Sequence, residues 1–126
     1  MIVGLGVDIV EIARAARLLE SYGGRALART CTDAEAAYVR ARPRPAQHFA
    51  ARLAAKEAAF KALAGSERAR LVGWREIEVI AADGGPPGLR LHGTARERGD
   101  ELGVRGAWLS ISHGDSSAVA VVVLES

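Results

Sequence analysis

The sequence lacks the residues that several protein classes require. Its single cysteine, Cys31, cannot form an internal disulfide, and no Cys or His stands near it at a metal-ligand spacing. We therefore expect Cys31 to be a small buried hydrophobic residue with no redox role. Aromatic residues make up only 5% of the chain and do not alternate with the arginines, which argues against a stacking surface for single-stranded nucleic acid. We expect no nucleic-acid partner.

Long hydrophobic runs are also missing. The most apolar stretch, AVAVVVL at 118–124, is far shorter than the roughly 20 residues that a membrane-spanning helix needs. The N-terminal stretch MIVGLGVDIVEIAR has neither the basic start nor the cleavage site of a secretory signal. We therefore expect a cytoplasmic protein without a membrane partner.

Charge of one sign does not dominate the chain. The 17 basic and 15 acidic residues leave a net charge of +2, so the field of the whole molecule is weak. The arginines of the first third are nevertheless clustered, at Arg14, Arg17, Arg25, Arg29, Arg40, Arg42 and Arg44. Local clusters of this kind favour an anionic small molecule or an acidic protein as partner.

The length and the hydrophobic content of 49% fit a single domain over residues 1–126. Alternating patterns predict a short first strand in IVGLGVDIV and two β-hairpins, one formed by 75–83 with 89–93 and one by 107–113 with 118–125. Helix patterns and caps predict four helices, at 11–24, 33–40, 46–64 and 94–103. Hairpins together with helices placed mostly in the N-terminal half indicate an α+β fold with an antiparallel sheet.

The predicted helix FAARLAAKEAAFKAL at 49–63 is rich in alanine yet carries four charges, at Arg52, Lys56, Glu57 and Lys61. Glu57 and Lys61 are spaced at i, i+4 as an ordinary surface ion pair, and the two cations Arg52 and Lys56 have the same spacing on an adjoining row. Alternatively, the alanines admit another part of the chain closely and leave the charges in a cleft, where Glu57 is a metal ligand or a general base. Asp8, at the end of the first strand, would then offer a second oxygen to Mg²⁺.

Two further motifs carry less information. GLGVD at 4–8 lacks the third glycine of a dinucleotide fingerprint. Ser112 and His113 are neighbours on a strand, so their side chains point to opposite faces and cannot form a hydrolase relay. His113, at a strand end beside a tight turn, is placed either to reach a ligand or to serve a structural purpose.

Three separated stretches together resemble one family. GVDIVEIAR, FAARLAAKEAAFKAL and SISHGDSSAVAVVV are similar to the signature stretches of the holo-acyl-carrier-protein synthases, the short 4′-phosphopantetheinyl transferases. The shorter CTDAEAAY and LRLHGTARERGDELGV also fit, so the resemblance spans nearly the whole chain. Departures occur at Leu53, Cys31 and Ser117, where the family commonly has aromatic residues. They concern the shape of the pocket rather than its charged groups.

The resemblance implies a 4′-phosphopantetheinyl transferase fold and transfer of phosphopantetheine from coenzyme A to a serine of an acyl carrier protein. It places Asp8 and Glu57 on Mg²⁺ and Lys61 on the pyrophosphate. Arg52, Lys56 and His113 would contact the other phosphates of coenzyme A, including the 3′-phosphate. For the base that takes the serine proton, both Glu57, through a metal-bound water, and His113 remain open.

Acyl carrier proteins are acidic, so Arg14 and Arg17 are predicted to form part of a docking face. The resemblance further implies a homotrimer with active sites between subunits, which would cover the apolar strand at 118–124. Two rival functions stay open: a coenzyme A or nucleotide-binding module without catalysis, and a structural subunit of a larger complex. The sequence also leaves open whether the carrier serves fatty-acid biosynthesis or polyketide synthesis.

Overall fold

The computed structural model describes residues 1–81 and 84–126. These residues form an α+β domain, and its helices and strands are, in chain order, β1 (Ile2–Glu11), α1 (Ile12–Tyr22), α2 (Gly24–Thr30), α3 (Asp33–Arg40), α4 (Pro45–Leu63), β2 (Ile77–Ile80), β3 (Gly88–Leu91), α5 (Gly93–Leu102), β4 (Gly106–His113) and β5 (Ser117–Glu125). The predicted helices α1, α3, α4 and α5 and both predicted hairpins are confirmed. Residues 82 and 83 of the first predicted hairpin lie outside the described residues.

The strands form two antiparallel sheets. One has three strands in the order β1-β5-β4, and the other is the β2–β3 hairpin. The predicted first strand in IVGLGVDIV is confirmed and is one residue longer, because β1 is paired with β5 from Ile2 to Glu11; it leads directly into α1. This pairing places Asp8 opposite Ala120, within the edge strand β1 rather than at the end of the strand.

The segment after α1 also differs from the prediction. Gly23 ends α1 with a positive φ of 55° and donates its backbone N–H to Leu19 O. The chain then forms a helix that the sequence did not indicate, α2, instead of a loop. Cys31 follows α2 and is fully buried, as predicted, and burial raises the pKa of its thiol.

Helix α4 is the centre of the core, and it packs across β1 and β5. Alternate residues of β5 face it and are buried, namely Ala118, Ala120, Val122 and Leu124. The C-terminal end of α4 is held by Arg98 of α5, whose guanidinium donates to Leu63 O at 2.7 Å and to Ala64 O at 2.9 Å. The sheet and Arg98 together hold the helix that carries the four predicted charges.

The opposite face of the three-stranded sheet is apolar and open. Its exposed large hydrophobic residues are Leu5, Val7, Ile9, Trp108 and Val121. The predicted alternation of β5, with its even-numbered residues on one face and Val119, Val121 and Val123 on the other, is thereby confirmed. Among the described residues, no helix is both long and apolar enough to cross a membrane.

Candidate active site

Asp8 and Lys61 meet where β1 crosses the second half of α4. Lys61 Nζ donates to Asp8 Oδ1 and to Val7 O, each at 3.0 Å. The Lys61 side chain is 57% exposed, whereas that of Asp8 is 15% exposed. Lys61 is therefore paired with a residue 53 positions away, and its ion pair is with Asp8 rather than with Glu57 one helical turn back.

Glu57 lies in the same cluster, with 26% of its side chain exposed and with Arg14 Nη2 at 3.7 Å from its Oε1. Burial raises the pKa of Glu57 to about 7, and a hydrogen bond with Asp8 and the charge of Asp8 add to the rise. The positive charges of Arg14 and Lys61 lower the pKa of Glu57, but by less than burial and Asp8 raise it. Glu57 is consequently a carboxyl group that exchanges its proton near neutral pH.

Asp8 behaves in the opposite way. Burial by itself raises the pKa of Asp8, but the hydrogen bonds with Glu57 and Lys61 and the Lys61 charge outweigh burial, so the pKa lies below its ordinary value. Asp8 Oδ2 is buried, and among the described residues no donor reaches it. A proton on Glu57 would supply that donor. When both carboxyl groups are ionised, Asp8 Oδ2 is a buried oxygen without a donor, and a bound cation would stabilise it.

The position of Lys56 differs from the predicted contact with a phosphate of coenzyme A. Its side chain is fully buried, and its ammonium donates to Glu35 Oε1 at 2.8 Å, to Trp74 O at 2.9 Å and to Ile77 O. An ammonium has three N–H donors, and all three are used by the protein. In this structure Lys56 therefore has no N–H left for a phosphate. Its ammonium instead connects α4 to Glu35 of α3, to Trp74 and to Ile77 at the start of β2.

Arg52 is buried as well, with 5% of the residue exposed. Its guanidinium lies over the Tyr38 ring at 4.1 Å from the centroid, and that of Arg42 lies over the same ring at 3.9 Å. Arg52 Nε has no hydrogen-bond partner in the described residues. Burial lowers the pKa of Arg52, which nonetheless remains a cation at neutral pH. The predicted contact of Arg52 with a phosphate stays a prediction.

His113 ends β4 near the first turn of α4. Its Nε2 is 3.1 Å from Gln47 Nε2, and both residues line a groove of about 450 Å³ together with Arg44 and Asp115. His113 on β4 is opposite Ala118 of β5, and Asp8 on β1 is opposite Ala120 of β5. His113 and Asp8 are therefore two strands apart across the sheet and two residues apart along it, so their α-carbons are about 12 Å apart. Within one chain His113 is therefore not in contact with the Asp8–Glu57–Lys61 cluster.

Helix α1 carries the two residues predicted to dock a partner. Arg14 is half exposed and reaches the edge of the carboxylate cluster at Glu57. Arg17 is exposed and forms no ion pair within residues 1–81 and 84–126. Of the two predicted docking residues, Arg14 thus borders the cluster. Sequence reasoning missed Tyr38 and Gln47, whereas Arg42 and Arg44 belong to the arginine cluster noted in the sequence.

Comparison with known proteins identifies the family. A family model described as the 4′-phosphopantetheinyl transferase superfamily matches residues 4–122, a range that includes every residue of the cluster. The chain belongs to this superfamily. It is 50% identical over 127 residues to a holo-[acyl-carrier-protein] synthase of Alkalilimnicola ehrlichii, a match that covers 100% of this chain and 98% of the relative.

Solved structures of the superfamily have the same fold. The holo-[acyl-carrier-protein] synthase of Neisseria meningitidis aligns with a TM-score of 0.86 and 29% identity, and the match covers 100% of both chains. A holo-(acyl-carrier-protein) synthase of Bacillus anthracis, solved in complex with CoA (3′,5′-ADP), aligns with a TM-score of 0.79 and 35% identity over 100% of this chain and 98% of that chain. The predicted 4′-phosphopantetheinyl transferase fold is thereby confirmed.

The charged cluster of this superfamily member contains two carboxylates. No group of three or more His, Cys, Asp or Glu side chains that could hold a metal ion occurs in the part of the chain that the structure describes. A cation bound by Asp8 and Glu57 would thus take its remaining ligands from water or from a substrate. Hard divalent cations accept such mixed oxygen ligands.

Proposed function

We propose that this chain transfers 4′-phosphopantetheine from coenzyme A to a serine hydroxyl of an apo acyl carrier protein and releases adenosine 3′,5′-bisphosphate. The main support is the convergence of Asp8, Glu57 and Lys61 from two distant segments, in a chain that matches the transferase superfamily over residues 4–122. Three relatives described above are named for this activity, and one of them was solved with coenzyme A. Phosphoryl transfer needs mainly positioning and charge stabilisation, which this cluster is suited to supply.

Mg²⁺ is the proposed metal, held by Asp8 and Glu57. The fit rests on the buried Asp8 Oδ2 that lacks a donor and on the oxygen-only character of both ligands. Mg²⁺ commonly binds through one or two carboxylates together with substrate phosphates, which agrees with a site that has two carboxylates. When bound, the metal would stabilise negative charge that develops on the leaving phosphate.

Lys61 is proposed to bind the pyrophosphate of coenzyme A. Its ammonium is more than half exposed and adjoins both carboxylates, so it can turn toward an anion without unfolding the helix. His113 and Arg52 are proposed to contact other phosphates of the same substrate, near the N-terminal half of α4. The separation of about 12 Å between His113 and Asp8 suits a substrate with two distant phosphate groups.

Glu57 is the proposed general base for the serine hydroxyl. Without metal the pKa of Glu57 is raised to about 7, and a cation held by Asp8 and Glu57 would lower it, so Glu57 is proposed to act through a water molecule bound beside it rather than as a free carboxylate. His113, the second candidate from the sequence, lies away from the cluster within one chain. Its participation would require the substrate or a neighbouring subunit to bring the two together.

Arg14 and Arg17 are proposed to dock the acidic carrier protein on α1. Arg14 borders Glu57 at 3.7 Å, so a carrier held there would have its serine close to the proposed base. The proposed assembly is a homotrimer in which the apolar outer face of the three-stranded sheet is covered. The exposed Leu5, Ile9 and Trp108 support this, because monomers rarely leave such a continuous apolar face in water.

The decisive experiment is intact-mass measurement of an apo acyl carrier protein after incubation with the purified chain, coenzyme A and Mg²⁺. A phosphopantetheine adduct, together with release of adenosine 3′,5′-bisphosphate, is expected. The matched control is Asp8→Asn, which keeps the size of the side chain but removes its charge. Binding of coenzyme A without any adduct would instead support the rival function of a non-catalytic binding module.

A further inference from the structure

Strand β1 lies directly against the backbone of α4 at two glycines. A Cβ atom on Gly6 would stand 1.8 Å from Ala58 O, and one on Gly4 would stand 2.2 Å from Ala62 O. Cβ atoms essentially never approach other atoms within 3.0 Å. Both obstacles are main-chain carbonyls inside a helix, so they cannot rotate away as a side chain could.

These two contacts lie beside the charged cluster. Gly4, Gly6 and Asp8 share one face of β1, because side chains alternate along a strand. On α4, Ala58 and Ala62 each follow directly after a charged residue of the cluster. Lys61 also donates to Val7 O at 3.0 Å, which requires the strand backbone itself to lie within hydrogen-bond reach of α4.

We propose that Gly6 is a positioning residue for Asp8, with Gly4 in a supporting role. Because Gly6 has no side chain, β1 approaches α4 closely enough for the Asp8 carboxylate to meet Lys61 and Glu57. A methyl group there would have to move from 1.8 Å to at least 3.0 Å from Ala58 O, so the strand would shift by about 1 Å. The consequence for catalysis rests on the function proposed above, whereas the geometric consequence does not.

The close contact with α4 explains why GLGVD has glycines at positions 4 and 6, and this explanation differs from that of a nucleotide fingerprint. In that fingerprint glycines admit a pyrophosphate to the backbone. Here they admit the backbone of α4.

The inference is tested by Gly6→Ala, with Gly88→Ala as the matched control. A Cβ on Gly88 would meet only the Ile80 Cβ at 4.0 Å, which is an ordinary contact. The first readout is the reactivity of Lys61 toward acetic anhydride, followed by peptide mass spectrometry. The chain has two lysines, and Lys56 is fully buried, so Lys61 is the lysine that such a reagent reaches.

In Gly6→Ala, Lys61 is expected to react about two- to tenfold faster than in the unaltered chain, the factor that corresponds to one lost hydrogen bond. Asp8→Ala sets the upper reference for a released Lys61, and Gly88→Ala is expected to leave the rate unchanged. The second readout is kcat/KM for transfer to the carrier, which is expected to fall about 100-fold through kcat, as for a catalytic group displaced by 1 Å.

A folded Gly6→Ala protein with an unchanged Lys61 reaction rate would overturn the inference, even if its stability were lower. If Gly6→Ala does not fold, Gly4→Ala takes its place, because its clash lies farther from Asp8 and near the start of the strand. It is expected to raise the Lys61 rate by a smaller factor, and an unchanged rate would refute the inference. The labelling does not depend on turnover, so absence of transferase activity in the unaltered chain would refute the proposed function alone.

Discussion

Replacing Lys56 by methionine separates a structural from a substrate-binding role for this residue. Methionine has a similar length and no charge, so Lys56→Met removes the ammonium with little change in volume. Glu35, which is 2% exposed, would keep its hydrogen bonds from the backbone N–H groups of Thr32 and Val79 but would lose its only cationic partner among the described residues. Two backbone carbonyls, of Trp74 and Ile77, would lose a donor at the same time.

The expected loss in the free energy of unfolding follows from this geometry. Removing one partner of a buried ion pair costs about 3–5 kcal/mol, because the other charge stays buried without compensation. The two carbonyls without a donor favour the upper end of that range. For a chain of this size, each kcal/mol lowers the melting temperature by about 4 °C, so Lys56→Met is expected to melt about 12–20 °C lower.

The assay is thermal and urea unfolding at a fixed protein concentration, combined with turnover at a temperature where the variant is still folded. Lys61→Met, on the same helix, is the matched control. Its side chain is 57% exposed whereas that of its partner Asp8 is 15% exposed, so the loss of stability in Lys61→Met is expected to be smaller than for the fully buried pair of Lys56. Lys61→Met should therefore keep most of its stability and lose turnover, whereas Lys56→Met should lose stability and keep turnover per folded molecule.

The opposite result for Lys56→Met would refute this reasoning. An unchanged melting temperature together with a raised KM for coenzyme A would mean that the Lys56 ammonium leaves Glu35 in the working enzyme. The phosphate contact predicted from the sequence would then be right, and the buried pair would be one of two alternative states.

Further predictions concern the cluster and its surroundings. Asp8→Ala and Glu57→Ala should each abolish most turnover while circular dichroism stays unchanged, and near-normal turnover across a Mg²⁺ titration would contradict the proposed metal site. The pKa of Glu57 is raised to about 7 in the fold, so in the absence of metal its protonated form stabilises the folded state. This contribution to the free energy of unfolding is complete below about pH 4.5 and is lost as the pH rises through 7. Glu57→Gln should flatten this decline in urea unfolding. Arg14→Glu should raise the KM for the carrier and weaken its salt dependence, and a raised KM for coenzyme A would instead assign Arg14 to the nucleotide pocket. Val121→Asp should dissociate the proposed homotrimer in sedimentation and lower activity. A fully active monomer of the unaltered chain would rule out the proposed active site between subunits.

Much of the fold was predictable because local signals agreed with it. Thr32 and Glu35 form the predicted capping box at the start of α3, and alternation along 118–125 correctly divided β5 into two faces. Helix α2 was missed because the pair Gly23–Gly24 indicates an end, and a glycine at the start of a helix is a weak signal. The partner of β1 was not predicted, because its pairing is with β5, more than a hundred residues later in the chain, which no local pattern reports.

The site was predictable only through whole-chain resemblance. Spacing on α4 favoured an ion pair between Glu57 and Lys61, yet Lys61 pairs with Asp8 on another element. Spacing also could not distinguish Lys56 from Lys61, since the burial of Lys56 depends on Glu35, 21 residues away. Charged residues on a helix acquire different roles from the elements that pack on each side, and that information is tertiary.

The seclusion of Cys31 matters for an enzyme whose proposed substrate ends in a thiol. Exchange between thiols and disulfides requires an accessible thiolate, and Cys31 has no exposed surface and a pKa raised by burial. Cys31 is therefore not expected to attack the disulfide of oxidised coenzyme A or of an oxidised carrier protein. If the proposed substrate binds, its thiol is therefore not expected to form a mixed disulfide with this chain, even under oxidising conditions.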